Sequence, residues 1–243
     1  MTEGIHEETA LHRAAASGNC RAAQLLIAQA SVNVNDRYGY TPFFAAARGG
    51  NINVAQILVD ANASIDLKDY WHSSPLHLAA QRGHSAMAQF LIDAKISVDT
   101  EDNAGKTPLH VAAGCGHPSV VQVMVAAKAS TETFDVCRRT PLHWAAEDGH
   151  SAAIEALLRA NATVDVEDLN GHTPLHLAAA RDNNEAARVL LHANASIEAL
   201  DFRRKTPLHV AAGNGNSATM RLLIDTKLHL ETRFCATSAE INA

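Results

Sequence analysis

An all-α repeat solenoid, about seven stacked helix–turn–helix units with hairpin fingers, is the fold predicted here, and three observations predict it. The phrases TALH, TPFF, SPLH and TPLH begin at residues 9, 41, 74, 107, 140, 173 and 206, first 32 and then always 33 residues apart. A fixed period of that size marks stacked supersecondary units rather than one closed core. Hydrophobic residues make up 47% of the chain and aromatics only 5%, so packing must rest on Ala, Leu, Val and Ile in thin, closely set helices. Within each unit the same start and stop signals recur at the same places.

Those signals are complete in KTPLHVAAGCGHPSVVQVMVAAKASTETFD, residues 106 to 135. Thr107 is an N-cap whose hydroxyl can accept from an orphan amide of the first turn. Pro108 then falls at N1, where its missing N–H costs nothing. Leu109, Val111, Ala112 and Ala113 give a short apolar face, and Gly116 is the left-handed residue that ends the helix. A second helix is expected from about Pro118 to Ala127, with Val120, Val121, Met124 and Val125 at core spacing. Residues 130 to 139 form an extended finger that leads into the next tetrad.

The period and the TPLH-x-A phrase resemble the ankyrin repeat, and the resemblance covers essentially the whole chain. It implies a single domain over 1–243. The repeats fall near 7–36 (an N-terminal cap), 40–69, 73–102, 106–135, 139–168, 172–201 and 205–234, with a tail over 235–243. The chain departs from the family where second helices end: Asn62, Lys95, Lys128, Asn161, Asn194 and Lys227 stand where Gly is usual. Asn is the best non-Gly residue for a left-handed cap, whereas Lys is strained there. Asn62, Asn161 and Asn194 also begin glycosylation sequons, and the expectation is that they act as caps. The polar start, MTEGIHEET, suits a cap and not a signal peptide. LHLETRFCATSAEINA is expected to start an eighth finger, with no tetrad after it; a natural end and a piece of a longer protein both fit.

Composition narrows the chemistry. The net charge of −6 gives no general reason for nucleic-acid binding, and no apolar run approaches a bilayer span. Cys20, Cys115, Cys137 and Cys235 form no CxxC pair, so reduced thiols in the cytoplasm or nucleus are expected. Six histidines (His12, His77, His110, His143, His176 and His209) occupy the tetrad, about one repeat apart. Stacked helices lie roughly 8–10 Å apart, too far for neighbouring imidazoles to share a zinc ion. The resemblance implies instead that each bonds the tetrad Thr and nearby backbone, and that His84, His117 and His150 link helices. Phe44 replaces the tetrad His once. No HExxH, GxSxG or phosphate loop occurs, so no catalytic residue, metal or cofactor is expected. Cys115 has no base beside it, and Trp144, in the slot of Leu78 and Val111, is expected in the core. The resemblance also implies asparaginyl hydroxylation near Asn33, although the acidic residue that usually precedes such a site is missing.

Recognition is placed by the resemblance on the finger tips and on the residue pair before the first-helix Gly, both facing a concave groove. The tips read RYGY (37–40), YWHS (70–73), NAGK (103–106), VCRR (136–139), LNGH (169–172) and FRRK (202–205). Two patches are expected. Tyr38, Tyr40, Tyr70, Trp71 and His72 lie toward one end, flanked by Arg37, Arg48 and Arg82. Arg138, Arg139, Arg181, Phe202, Arg203, Arg204 and Lys205 lie toward the other, with Glu147 and Asp148 between them. Tyr, Trp and Arg are the usual interface anchors, and Arg clusters favour carboxylate or phosphate. The expected function is a non-enzymatic, monomeric adaptor or scaffold. It would bind a protein segment with apolar or aromatic anchors and acidic or phosphorylated residues, and neither nucleic acid nor membrane. Alternatives are an inhibitor or assembly chaperone of gankyrin-like format, and the recognition domain of a larger enzyme or channel.

Overall fold

A computed structural model describes residues 8 to 241. Residues 1 to 7, expected to cap the array, lie outside the described residues, as do residues 242 and 243 and the Cys235 side chain. Among the described residues, fourteen helices form seven antiparallel pairs: α1 (Ala10–Ser17) with α2 (Cys20–Ile27), α3 (Pro42–Gly49) with α4 (Ile52–Asp60), α5 (Pro75–Gln81) with α6 (Ser85–Asp93), and α7 (Pro108–Gly114) with α8 (Pro118–Ala126). α9 (Pro141–Glu147) pairs with α10 (Ser151–Arg159), α11 (Pro174–Ala180) with α12 (Asn184–His192), and α13 (Pro207–Asn214) with α14 (Ser217–Ile241). First helices stack on first helices and second on second.

The tetrad builds both the helix start and the link to the next unit. The Thr107 N–H donates to His110 Nδ1 at 3.1 Å, and the Thr107 hydroxyl lies 2.9 Å from the same nitrogen. That nitrogen is therefore an acceptor, which leaves the proton on Nε2. Nε2 then donates to the Arg139 carbonyl of the next finger at 3.0 Å. His12, His77, His143 and His176 repeat the arrangement onto the carbonyls of Tyr40, Lys106, His172 and Lys205 at 2.8–3.1 Å. A second tie runs backwards: His84 Nε2 lies 3.1 Å from the Arg48 carbonyl and His117 Nε2 3.2 Å from that of Gln81.

The core is a column one or two side chains thick. Leu76, Leu109, Leu142 and Leu175 alternate with Ala79, Ala112, Ala145 and Ala178, all buried, and the alanines let helix backbones approach. Truncating one such Leu costs about 2–5 kcal/mol, because neither flanking unit can close the gap. Phe44, in place of a tetrad His, is buried and stacks on Tyr40 at 5.6 Å.

The fingers carry no strand among the described residues, which refines the expected hairpin. In each finger an aspartate closes a tight turn. Asp102 N–H donates to the Lys106 carbonyl at 3.0 Å, and Asp102 Oδ1 accepts from the Ala104 and Lys106 N–H groups at 2.8 and 2.9 Å. Single bonds join adjacent tips, such as Asn103 N–H to the Trp71 carbonyl at 2.9 Å, and one bond per step makes no ladder. Lower down, Asn33, Asp99, Glu132 and Asp165 accept from the N–H groups of Ser64, Ser130, Thr163 and Ser196.

Second helices end as the caps predict at Asn62, Lys95, Lys128, Asn161 and Asn194, all left-handed with φ between 60° and 70°. Lys227 is the exception. α14 runs straight through it to Ile241, so the expected cap and the start of an eighth finger are both absent. No Gly, Pro or Asn interrupts residues 217 to 241, and residues 228 to 243 contain no tetrad. Among the described residues, no helix is long and apolar enough to cross a membrane.

Candidate protein-binding groove

Fingers and first helices enclose a groove whose two walls come from two fixed repeat positions. The last tip residues, Tyr40, Ser73, Lys106, Arg139, His172 and Lys205, form one side. The residue after each tetrad, including Leu78, Val111, Trp144 and Val210, forms the other, and members of both sets line the same cavities. The aspartate turn fixes the first set and the capped helix start fixes the second.

Three of the four expected aromatics come together. Tyr38 stacks on Trp71 at 5.9 Å, and Tyr40 lies 5.9 Å from Tyr38 and 6.4 Å from Trp71. Arg37 covers the Tyr38 ring at 4.7 Å and Arg48 approaches Tyr40 at 5.9 Å. Burial, then the nearby Asp69, pushes the Tyr40 hydroxyl pKa upward, so it is a neutral donor. Tyr38 and Trp71 remain 38% and 50% exposed, a stacked pair with area to offer a partner. Tyr70 makes no ring pair with them: its ring lies over Gly39. His72 is exposed in the left-handed region at φ 61°. Arg82 caps α5, exposed, and its charge acts on the Cys115 thiol rather than on the rings.

The basic residues divide into paired and unpaired. Glu147 holds Arg139 at 2.5 Å and Arg181 at 3.0 Å, and Arg139 also approaches Asp168 at 3.6 Å. Arg138 folds back with its guanidinium 5.5 Å from the Phe134 ring. Arg203, Arg204 and Lys205 are exposed and, among the described residues, make no ion pair. Phe202 beside them is 69% exposed, its ring over Gly171. The expected basic patch is thus concentrated in the last finger.

Trp144 is not in the core. It is half-buried on the groove wall, its Nε1–H donating to Asp135 Oδ2 at 3.0 Å. Lys106 Nζ sits 3.5 Å from the ring centroid and the Arg139 guanidinium 5.5 Å. The slot it shares with Leu78 and Val111 faces the fingers, and an indole is too large to be buried there. The period alone could have revealed this, since Arg13 occupies the same slot in the first unit. Burial and then Asp148 push the Cys115 thiol pKa up, which disfavours the reactive thiolate.

The model for ankyrin repeats (3 copies) matches residues 2–69, 65–135 and 128–201, and that for a single ankyrin repeat matches 203–230. The crystal structure of the human ASB11 ankyrin repeat domain superposes with a TM-score of 0.81 at 25% identity, covering 90% of this chain and 97% of that one. Solved chains matching the fold number 578, so the likeness identifies an architecture and not a partner. No curated protein matches the sequence. With the repeat matched along nearly its whole length and the fold shared with a solved member, the chain belongs to the ankyrin repeat family, whose members are generally protein–protein interaction modules.

Proposed function

We propose that this protein is a non-enzymatic, monomeric adaptor whose groove holds a partner segment with apolar or aromatic anchors at one end and acidic or phosphorylated residues at the other. One observation carries the reading. The six tips hold seven Lys and Arg residues (Arg37, Lys106, Arg138, Arg139, Arg203, Arg204 and Lys205) and no Asp or Glu, in a chain of net charge −6. Such segregation favours an acidic partner by steering and by charge-assisted hydrogen bonds. Tyr38 and Trp71 supply rigid anchor area at the opposite end. Free thiols at Cys20, Cys115 and Cys137 fit a reducing compartment, cytoplasm or nucleus.

The experiment is affinity capture from the source cells with wild type, the Tyr70→Ala/Trp71→Ala double variant and the Arg203→Glu/Arg204→Glu double variant. Each variant should fold, since all four side chains are exposed, and each should lose partners that wild type retains. Identical capture by all three proteins would overturn the groove reading.

A further inference from the structure

Between the aromatic and basic ends, the groove contains a hollow of about 290 Å³ over Gly114. That is the small end of ligand pockets, suited to one side chain rather than to a whole small molecule. Gly114 makes the hollow. The neighbouring units carry Gln81 and Glu147 at this position, and Gly114 lies inside α7 without a positive φ. An added Cβ would meet Trp144 Cβ at an ordinary 3.4 Å. Neither backbone conformation nor crowding requires glycine, which weakens a helix; what its absence of a side chain provides is space.

The walls of that space are Leu78, Val111 and Trp144, and the hydrogen bond from Trp144 to Asp135 fixes the indole. On the finger side, the Lys106 ammonium lies on the indole face. Among the described residues it makes no ion pair. The rim carries two carboxylates, Asp148 on the helix side and Asp102 on the finger side, where Asp102 Oδ1 is engaged by the Ala104 and Lys106 N–H groups. The Lys106 ammonium is the rim's one Lys or Arg, so a partner carboxylate is favoured at that point and opposed beside Asp148.

We infer that the hollow over Gly114 is an anchor site for one apolar side chain of an acidic partner segment, lodged against Leu78, Val111 and Trp144 while a neighbouring carboxylate meets Lys106. This rests on the groove reading above and specifies what the middle of the groove selects. Of the two adjacent tips, 136–139 carries Arg138 and Arg139 and 70–73 carries no Lys or Arg, and neither holds an acidic residue.

The test uses fluorescence anisotropy of three labelled five-residue peptides: leucine flanked by glutamates, serine flanked by glutamates, and leucine flanked by lysines. The first should bind saturably, the second at least tenfold more weakly, and the third not measurably. Gly114→Gln, which fills the hollow with the residue of the preceding unit, should weaken the first peptide at least tenfold while leaving the melting temperature unchanged or raised. Lys106→Glu should do the same from the finger side, and Asp148→Asn should tighten binding a few-fold. Absence of saturable binding to wild type, equal binding of the lysine peptide, or unchanged binding by both Gly114→Gln and Lys106→Glu would overturn the inference. Unchanged partner capture by Gly114→Gln, alongside loss in the Trp71 and Arg203 variants, would reject the hollow and leave the groove standing.

Discussion

The ring of Tyr70 lies over Gly39, so close that a Cβ on Gly39 would stand 2.8 Å from Tyr70 Cδ1. Phe202 covers Gly171 in the same way, at 2.6 Å. Tips therefore alternate. A tip with Gly receives the start of the next tip, the rings of Tyr70 and Phe202 over Gly39 and Gly171 and the Val136 backbone over Gly105, and that next tip has His72, Arg138 or Arg204 at φ near 60° where Gly would stand. Gly39→Ala combines this clash with a φ of 81° and should destabilise the array by about 1–3 kcal/mol. His72→Gly should instead stabilise by about 0.5 kcal/mol, the relieved strain exceeding the entropy added to the unfolded chain. Urea unfolding of the two variants should show opposite signs.

Lys95 and Lys128 are exposed caps with φ of 70° and 66°. Replacing either with Asn should raise stability by roughly 0.5 kcal/mol, since Asn tolerates the left-handed region better. Calorimetry of the double variant should show a raised melting temperature; a lowered one would mean that the Lys stems pack usefully.

Burial holds the His143 pKa down at about 4, against an ordinary 6.5. Between those values the unfolded chain takes up a proton that the native imidazole refuses. Stability is thus fully present above pH 6.5 and declines as the pH falls toward 4, by about 3 kcal/mol for this residue. His77, His110 and His176 are lowered by burial in the same direction and steepen the decline. Unfolding free energies from pH 7 to 4 should fall accordingly, and His143→Gln should flatten the slope. A flat wild-type profile would contradict the neutral tautomer assigned to the tetrad.

Glu147, with a side chain only 16% exposed, neutralises both Arg139 and Arg181. Glu147→Gln should cost about 1–2 kcal/mol, chiefly through the partly buried Arg139. Arg181→Ala, at a 62% exposed side chain, should cost under about 0.5 kcal/mol. Chemical denaturation of the two variants would order them; equal losses would place the value of the cluster on Arg181 instead.

Much of the molecule could be read from the chain because a solenoid is local. Thr107, Pro108 and Gly116 set the helix ends within one unit, and His110 reaches only the adjacent one, so order in sequence is order in space. Asn62 and Asn161 could be recognised as left-handed caps for the same reason. Lys227 differs because a cap there depends on a following tetrad, and residues 228 to 243 contain none. Trp144 was misjudged because size and hydrophobicity indicate burial, whereas its slot faces the fingers.

The sequence by itself determined the period, the helix pairs and the separation of basic tips from an acidic whole, and its resemblance to the ankyrin repeat implied the tetrad hydrogen bonds. Each is set by backbone conformation or by contacts with an adjacent repeat. Only the tertiary structure decided which tip residues meet. Stacking at a shared twist brings Tyr38 to Trp71 but turns Tyr70 onto Gly39, and it engages Arg139 and Arg181 with Glu147 while leaving Arg203 and Arg204 unpaired. It also showed that Gly114 leaves a hollow beside Trp144, since a missing side chain becomes space only where the neighbouring units do not fill it.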